Sequence, residues 1–395
     1  MLRETPFHPR TAALMEGQAW RRWAGYVVAS SYELSHEREY HAVRSAAALF
    51  DVSPLYKYLV RGRDAVRLLD RIVTRDMTKC RVGQVLYTPW CDARGKVIDD
   101  GTISRLEETT FRMTAADPTI RWLHLNSAGL DVTIDDVSDK TAALSLQGPN
   151  ARAVLELASG QELTGLKYFR LTAAKIRGAP VTISRTGYTG DLGYEVWVDA
   201  TRALAVWDAL IEVGTSYGIT PAGMLALDLA RNEAGLLLIE VDYVSAHHAL
   251  IDSQTSTPFE LSLGWTVALD KERFNGHDAL KAEHERGPAW RFMGIEVDWD
   301  SLERLYADVG LPPKLPTAAW RASVPIYVGG LQVGYATSGC WSPLLKRYIA
   351  LAHLEGAAGD PGTVVDLEVT VEHRRRRATA TVRPLPFFNP DRKRA

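Results

Sequence analysis

The C-terminal part of the chain reads FMGIEVDW (292–299), VPIYVGGLQVGYAT (324–337), YIALAHLE (348–355), TVVDLEVTVEHR (363–374) and ATATVRPL (378–385). These runs are short, rich in Val, Ile, Tyr and Thr, and separated by turns such as Gly329-Gly330 and Gly359-Asp360-Pro361-Gly362. Such runs form strands and hairpins rather than helices. They predict a small all-β module, a barrel or a sandwich. Just upstream, HERGPAW (284–290) replaces apolar periodicity with charge and a Gly-Pro pair. That places a domain boundary near residue 285.

Upstream of the boundary, strands and helices alternate irregularly. Strand candidates are YKYLVRG (56–62), ALSLQGP (143–149), APVTISRTG (179–187), YEVWVDA (194–200) and LLLIEVDY (236–243). Helix candidates cover 64–72, 150–158, 201–213 and 221–234. The last has an N-cap hydroxyl in Thr220, a proline where a missing N–H costs nothing, and Gly235 to close it. The strands are neither uniformly apolar nor joined by regular crossover helices, so an α+β architecture fits better than a doubly wound sheet.

The length of 395 residues predicts two to three domains. Lys+Arg number 46 against 48 Asp+Glu, a net charge of −2, so no global field favours nucleic acid or an anionic membrane. The three cysteines, Cys80, Cys91 and Cys340, are too few and too scattered for a disulfide scaffold or a CxxC pair. Neither a signal peptide nor an apolar run long enough to span a bilayer is present, and a cytoplasmic location is expected.

Several motifs fail on context. Gly187-Tyr-Thr-Gly-Asp-Leu-Gly193 lies between two strand candidates, so it reads as a hairpin loop and not a phosphate cradle. The G-x-S-x-G match at 214–218 follows a helix, where a nucleophile elbow needs a strand before its serine. His247-His248, read on a strand, would point to opposite faces, and no metal site is expected. The basic run Arg374–Arg377 reads as a solvated strand face.

Others hold. In GKVIDDGTISRL (95–106), alternation sends Asp99 and Asp100 to opposite faces, which excludes a shared-proton dyad. Asp100 would share a face with Ile98 and Thr102, and Asp99 with Val97 and Ile103. A carboxylate on an apolar surface is costly unless it is paired or functional; the alternative is that both are turn or edge residues beside Gly101. Glu195, in GYEVWVD behind the glycine loop whose tip is Tyr188, carries the same two readings. Asp228 and Arg231 are spaced for a structural pair on one helix.

Seven motifs then occur in one order: FDVSPLYKYLVRG (50–62), YTPWCDARGKVIDDGT (87–102), LSLQGPNARAVL (144–155), SRTGYTGDLGYEVWV (184–198), PAGMLALDLARNEAGL (221–236), PFELSLGW (258–265) and GYATSGCWSPLLKRYIALAHLE (334–355). Together with the closing PLPFFNP (384–390), the chain resembles the aminomethyltransferase family, the T-protein of glycine cleavage, over nearly its whole length. The resemblance implies a three-domain cloverleaf around a tetrahydrofolate pocket: residues 1–55 with 140–285, residues 56–139, and a β-barrel-like domain over 286–395. It implies that Asp100 is the catalytic carboxylate and that Glu195, Tyr188, Tyr87, Leu55 and Thr114 bind the folate. A pterin edge offers adjacent N–H and NH₂ donors, which a carboxylate accepts in pairs.

The chain departs from the T-protein pattern on the donor side. The family's V-N-A asparagine corresponds to Thr114 in RMTAADP (112–118), and its arginine before the helix aspartate corresponds to Leu227. The short segment before PFE is replaced by YVSAHHALIDSQTST (243–257). These departures resemble the tetrahydrofolate-dependent demethylases, which take methyl groups from sulfonium, amine or methoxy donors. Asp242, Tyr243, His247 and His248 are then the expected donor-facing residues, with Asp242 or Asp252 offsetting a cationic donor. The alternatives are a true aminomethyltransferase served by a lipoyl carrier protein, and a non-catalytic folate-binding regulator.

Overall fold

The computed structural model describes residues 2–395. The C-terminal runs close into an antiparallel six-stranded barrel in the order Trp290–Val297, Arg347–Glu355, Leu331–Ser342, Val324–Val328, Val364–Val371, Arg374–Arg383. Gly329 and Gly330 form a two-residue hairpin turn with φ of +57° and +88°, the left-handed pair that matches strand twist. The module is not all-β, however. Asp298 accepts the Ser301 amide at 2.7 Å and caps a helix, Trp299–Ala307, whose Leu302 and Tyr306 pack into the barrel core.

Two larger sheets precede the barrel and confirm the α+β reading. One has five strands in the order Val85–Cys91, Val97–Glu107, Thr110–Ala115, Tyr56–Arg61, Thr133–Asp136. The other has six: Leu171–Ile176, Ala179–Ser184, Gly193–Asp199, Thr141–Gln147, Ala47–Asp51, Ile219–Pro221. A small three-stranded sheet sits at the N-terminus. Helices Ala65–Ile72, Ala151–Ser159 and Ala203–Gly214 fall within a residue or two of expectation. Among the described residues, no helix is long and apolar enough to cross a membrane.

Strand alternation decides what the two sheets show each other. The five-stranded sheet packs Val60, Trp90, Ile103, Phe111 and Met113 against helix Ala65–Ile72. Its other face carries Tyr87, Asp100, Thr102, Ser104, Arg112 and Thr114, aligned by strand register. The six-stranded sheet buries Leu144, Tyr194 and Val196 against its own helices. Its opposite face bears Ser145, Ser184, Glu195 and Trp197, again in register. The two polar faces meet, and the Arg112 guanidinium lies over the Trp197 ring at 4.0 Å.

Three local expectations are corrected. LLLIEVDY is not a strand: Glu240 adopts φ +62°, and the Leu238 carbonyl accepts the amides of Val241 and Asp242, so the run folds into a tight turn. Its apolar side chains, Leu237 and Tyr243 among them, plug the junction with the barrel instead of joining a sheet. The helix expected from Pro221 begins at Met224 behind Gly223, because residues 219–221 pair in parallel with Ala47–Leu49. Lastly, a bulge between Trp90 and Cys91 breaks alternation near Ile98, which packs with Trp90 and Ile103 and not beside Asp100.

Gly101 has no room for a side chain, since a Cβ there would stand 2.0 Å from the Thr114 carbonyl oxygen. Gly101→Ala should therefore force the Val97–Glu107 and Thr110–Ala115 strands apart. We expect a loss of about 1–3 kcal/mol in denaturant unfolding, against no measurable change for Gly165→Ser, where nothing stands within 4 Å of the added Cβ and the backbone is not left-handed.

Candidate active site between the two sheets

Asp99 and Asp100 do point in opposite directions. Asp99 is fully buried and accepts the backbone amides of Asp100 at 2.7 Å and of Ala116 and Asp117 at 3.0 Å each. Burial, and next the charge of Asp100, push it well above the ordinary carboxylate range. It is a structural clamp on the turn after Ala115. Asp100 faces the cleft, where the Tyr243 hydroxyl donates to its Oδ1. Burial raises Asp100 too, opposed by the hydroxyls of Tyr243 and Tyr87, while nearby Asp242 adds to the rise. Both tyrosines are pushed far up by burial, so they remain donors.

Across the cleft, Glu195 accepts from the Thr186 hydroxyl at 2.5 Å. Burial raises its pKa above the ordinary carboxylate range, held back by Thr186, by the charge of Arg112 and by Ser184. Arg112 is 5 % exposed, yet its Nε and Nη2 have no hydrogen-bond partner. Burial lowers its pKa to about 10, still charged at neutral pH, against the opposing pull of Glu195. Sequence reasoning passed over Arg112, although an arginine between Phe111 and Met113 in an alternating strand is the signal that finds it.

The remaining expected positions divide. Tyr87 and Tyr243 meet at Asp100. Thr114 is on the same face but its hydroxyl pairs with that of Thr102 at 2.8 Å and does not engage Asp100. Tyr188 sends its hydroxyl to the Leu237 carbonyl, bracing the turn and leaving Glu195 alone. Leu55 packs at the cluster around Phe50 and Trp197, its carbonyl accepting from Lys57 Nζ at 2.7 Å. His247 and His248 occupy a turn and not a strand, away from Asp100. His247 meets the Trp122 ring edge-on, and His248 Nδ1 lies 2.9 Å from Glu240 and 3.5 Å from Asp117. A cation-offsetting role for Asp252 does not hold either, because it is exposed and paired with Arg94.

Asp242 is buried beneath the loop, unavailable to a donor. It accepts from Arg231 Nη1 at 2.5 Å, from the Leu238 amide at 2.8 Å and from the hydroxyls of Thr337 and Ser338 at 2.6 and 2.7 Å. Arg231 also reaches Asp228 at 3.3 Å, the pair foreseen from their spacing. Leu227 leaves the family's arginine position empty of charge; Arg321 and Arg21 approach Asp228 instead, at 2.5 and 3.6 Å. Segment 243–257 is likewise not free: Ser245 donates to the Ile98 carbonyl at 2.6 Å, and Val97 exchanges backbone bonds with Ala246 and Ser256. Asp242→Ala leaves a buried guanidinium short of a partner. It should cost about 3–5 kcal/mol, read as a fall in the urea midpoint, with Asp252→Ala unchanged.

Comparison with known proteins agrees with this geometry. The family description "GCVT N-terminal domain" matches residues 7–271, and "Glycine cleavage T-protein C-terminal barrel domain" matches 309–389. An aminomethyltransferase of Halothermothrix orenii is 36% identical over 354 residues, 89% of this chain and 90% of its own. One from Bacillus pumilus is 33% identical over 395 residues, 98% of this chain and 99% of its own. A trimethylamine-oxide aldolase of Ruegeria pomeroyi is 34% identical over 100% of this chain, which spans 48% of that longer protein. The crystal structure of glycine cleavage system aminomethyltransferase T from Bartonella henselae shares the fold with a TM-score of 0.83, at 25% identity over 98% of this chain and 99% of that one. The chain therefore belongs to the aminomethyltransferase family, the T-protein enzymes of one-carbon transfer, and has their mixed helix-and-strand fold with its C-terminal barrel.

Proposed function

We propose that the chain is a tetrahydrofolate-dependent one-carbon transferase that takes a methyl group from a small methylated donor, a sulfonium, an amine or a methoxy compound. The contact between Tyr243 and Asp100 carries this reading. By the resemblance Asp100 corresponds to the T-protein catalytic aspartate, and the hydroxyl upon it comes from segment 243–257, the longer counterpart of a short T-protein segment. The folate side is kept and the donor side rebuilt. Likeness to a trimethylamine-oxide aldolase supports a methylated amine as one donor class. In this reading the domains are 1–55 with 140–285, 56–139 and 286–395.

The residues suit a folate. Glu195 has acceptor capacity beyond Thr186 for two adjacent N–H donors, and it lies in a cleft between two sheets. Tetrahydrofolate, when bound, supplies the nitrogen nucleophile that receives the one-carbon unit. Glu195 would hold its pterin edge. Asp100, ionised, offsets the positive charge of an onium donor where that charge changes most. Tyr243 and Tyr87 fix the carboxylate's direction, which is a positioning effect.

Asp100→Ala should lower kcat by about 10²–10³-fold with folate affinity little changed. Activity that needs Asp100 ionised must rise with pH through its raised pKa. Tyr243→Phe removes a donor to the carboxylate and raises that pKa further, so the acid limb of kcat/KM should move to higher pH; an unmoved limb contradicts the assignment. Glu195→Gln should weaken tetrahydrofolate about ten- to a hundredfold in calorimetry.

The aminomethyltransferase relatives favour a second reading, with a lipoyl carrier protein as partner and ammonia and methylene-tetrahydrofolate as products. Mass spectrometry of the folate product separates the two. Methyl-tetrahydrofolate from methylated donors alone supports the demethylase; methylene-tetrahydrofolate formed only with a loaded lipoyl carrier supports the T-protein.

A further inference from the structure

Arg112 is a buried charged group on the polar face of the five-stranded sheet, and the charge of Glu195 acts on it without a hydrogen bond between them. Its side edge, Nε with Nη2, is buried and unpartnered. Two other arginines show what that edge can hold, while among the described residues Arg112 has both of its atoms buried and unpartnered. Arg10 grips the two oxygens of Asp208 with Nε and Nη2 at 2.7 and 2.8 Å. Arg321 converges both on a single oxygen, Asp228 Oδ2, at 2.9 and 2.5 Å. A guanidinium left without hydrogen-bond partners in a buried place is expensive, and Arg112 nonetheless lies over the Trp197 ring. Trp197 and Glu195 are two residues apart on one strand and so share a face. The unpartnered guanidinium thus lies on the face that carries the Glu195 carboxylate, close enough for the two charges to act on each other.

We propose that Arg112 reads the 4-oxo group of the bound pteridine, beside the donors that Glu195 accepts. The inference rests on the folate reading above and extends it to a specificity determinant. The pteridine edge runs 2-amino donor, N3–H donor, 4-oxo acceptor, and a carboxylate next to a guanidinium has the complementary order. The two-donor edge selects the oxygen over the acceptor at the other end, N1. A carbonyl oxygen has two lone pairs for two N–H groups, as Asp228 Oδ2 does for Arg321, whereas N1 has one and lies between donors. Lys57, the other cation near Arg112, is committed to the carbonyls of Ser53 and Leu55 at 2.7 Å each, so it does not compete for the oxygen.

The test is calorimetric titration of the full chain with tetrahydrofolate and with the tetrahydro form of its 4-amino analogue, for wild type, Arg112→Met and Arg112→Lys. Wild type should prefer the 4-oxo ligand. Arg112→Met should lose about ten- to a hundredfold for tetrahydrofolate, the scale of a charge-assisted bond, while holding the 4-amino analogue as well as wild type or better. Retained analogue binding also shows that the variant folds. Arg112→Lys keeps the charge but loses the paired edge, and should recover only part of the discrimination. Equal loss of both ligands in Arg112→Met, or no loss of either, overturns the inference while leaving the folate reading intact. Wild type that binds neither pteridine overturns the folate reading, and this inference with it.

Discussion

A single buried guanidinium organises the junction of the sheets, the turn and the barrel. Arg231 is fully enclosed and bridges Asp228 on its own helix to Asp242 on the turn after Leu238. Asp242 is in turn held from the barrel by Thr337 and Ser338, and its backbone carbonyl lies 2.6 Å from His353 Nε2. Burying such a pair seldom adds net stability over an apolar substitute, but removing one partner is costly. The arrangement therefore acts as a registry device: helix Met224–Glu233, the turn and the barrel fit together in the one way that pairs Arg231 with both carboxylates. Arg321 and Arg21 bring a further positive charge to Asp228, where the family's neighbouring arginine is missing.

The site inherits its geometry from that registry. Tyr243 follows Asp242 directly, so fixing the carboxylate of one fixes the hydroxyl of the other on Asp100. The same segment then bonds to Val97 and Ile98, the residues that lead into the two aspartates. Loop 243–257 thus supports the Asp100 carboxylate, and in the proposed reading it also walls the donor side. If Glu195 and Arg112 hold the folate as proposed, a change in donor chemistry need not touch them, because they belong to strands other than the one the loop bonds to.

Local patterns were legible where short-range rules decide the outcome. Alternating Val, Ile and Thr marked the barrel strands, the Gly329-Gly330 pair marked its hairpin, and alternation placed Asp99 and Asp100 on opposite faces. Asp100 and Glu195 stood out as carboxylates among apolar neighbours. What the sequence hid came from tertiary competition. LLLIEVDY has the composition of a strand, but the Asp242 carboxylate captures the Leu238 amide and the run turns into the junction. Thr220 and Pro221 look like a helix start until Ala47–Leu49 takes them as a parallel partner. A one-residue bulge moved Ile98 to the other face. Arg112 showed only as a charge between two apolar residues: its meaning depends on Trp197 and Glu195, residues more than eighty positions away that only the packing of the two sheets brings near.

The account's central claim is that the polar faces of the two sheets form one folate site, with recognition on the Glu195 strand and chemistry at Asp100. A crystal structure of the chain with tetrahydrofolate bound tests this most directly. The account predicts the pteridine ring in the cleft between strands Gly193–Asp199 and Thr110–Ala115, its amino-bearing edge on Glu195 and its reactive side turned toward Asp100. A ring found at the barrel mouth, or in the cleft with Glu195 left unengaged, would contradict it.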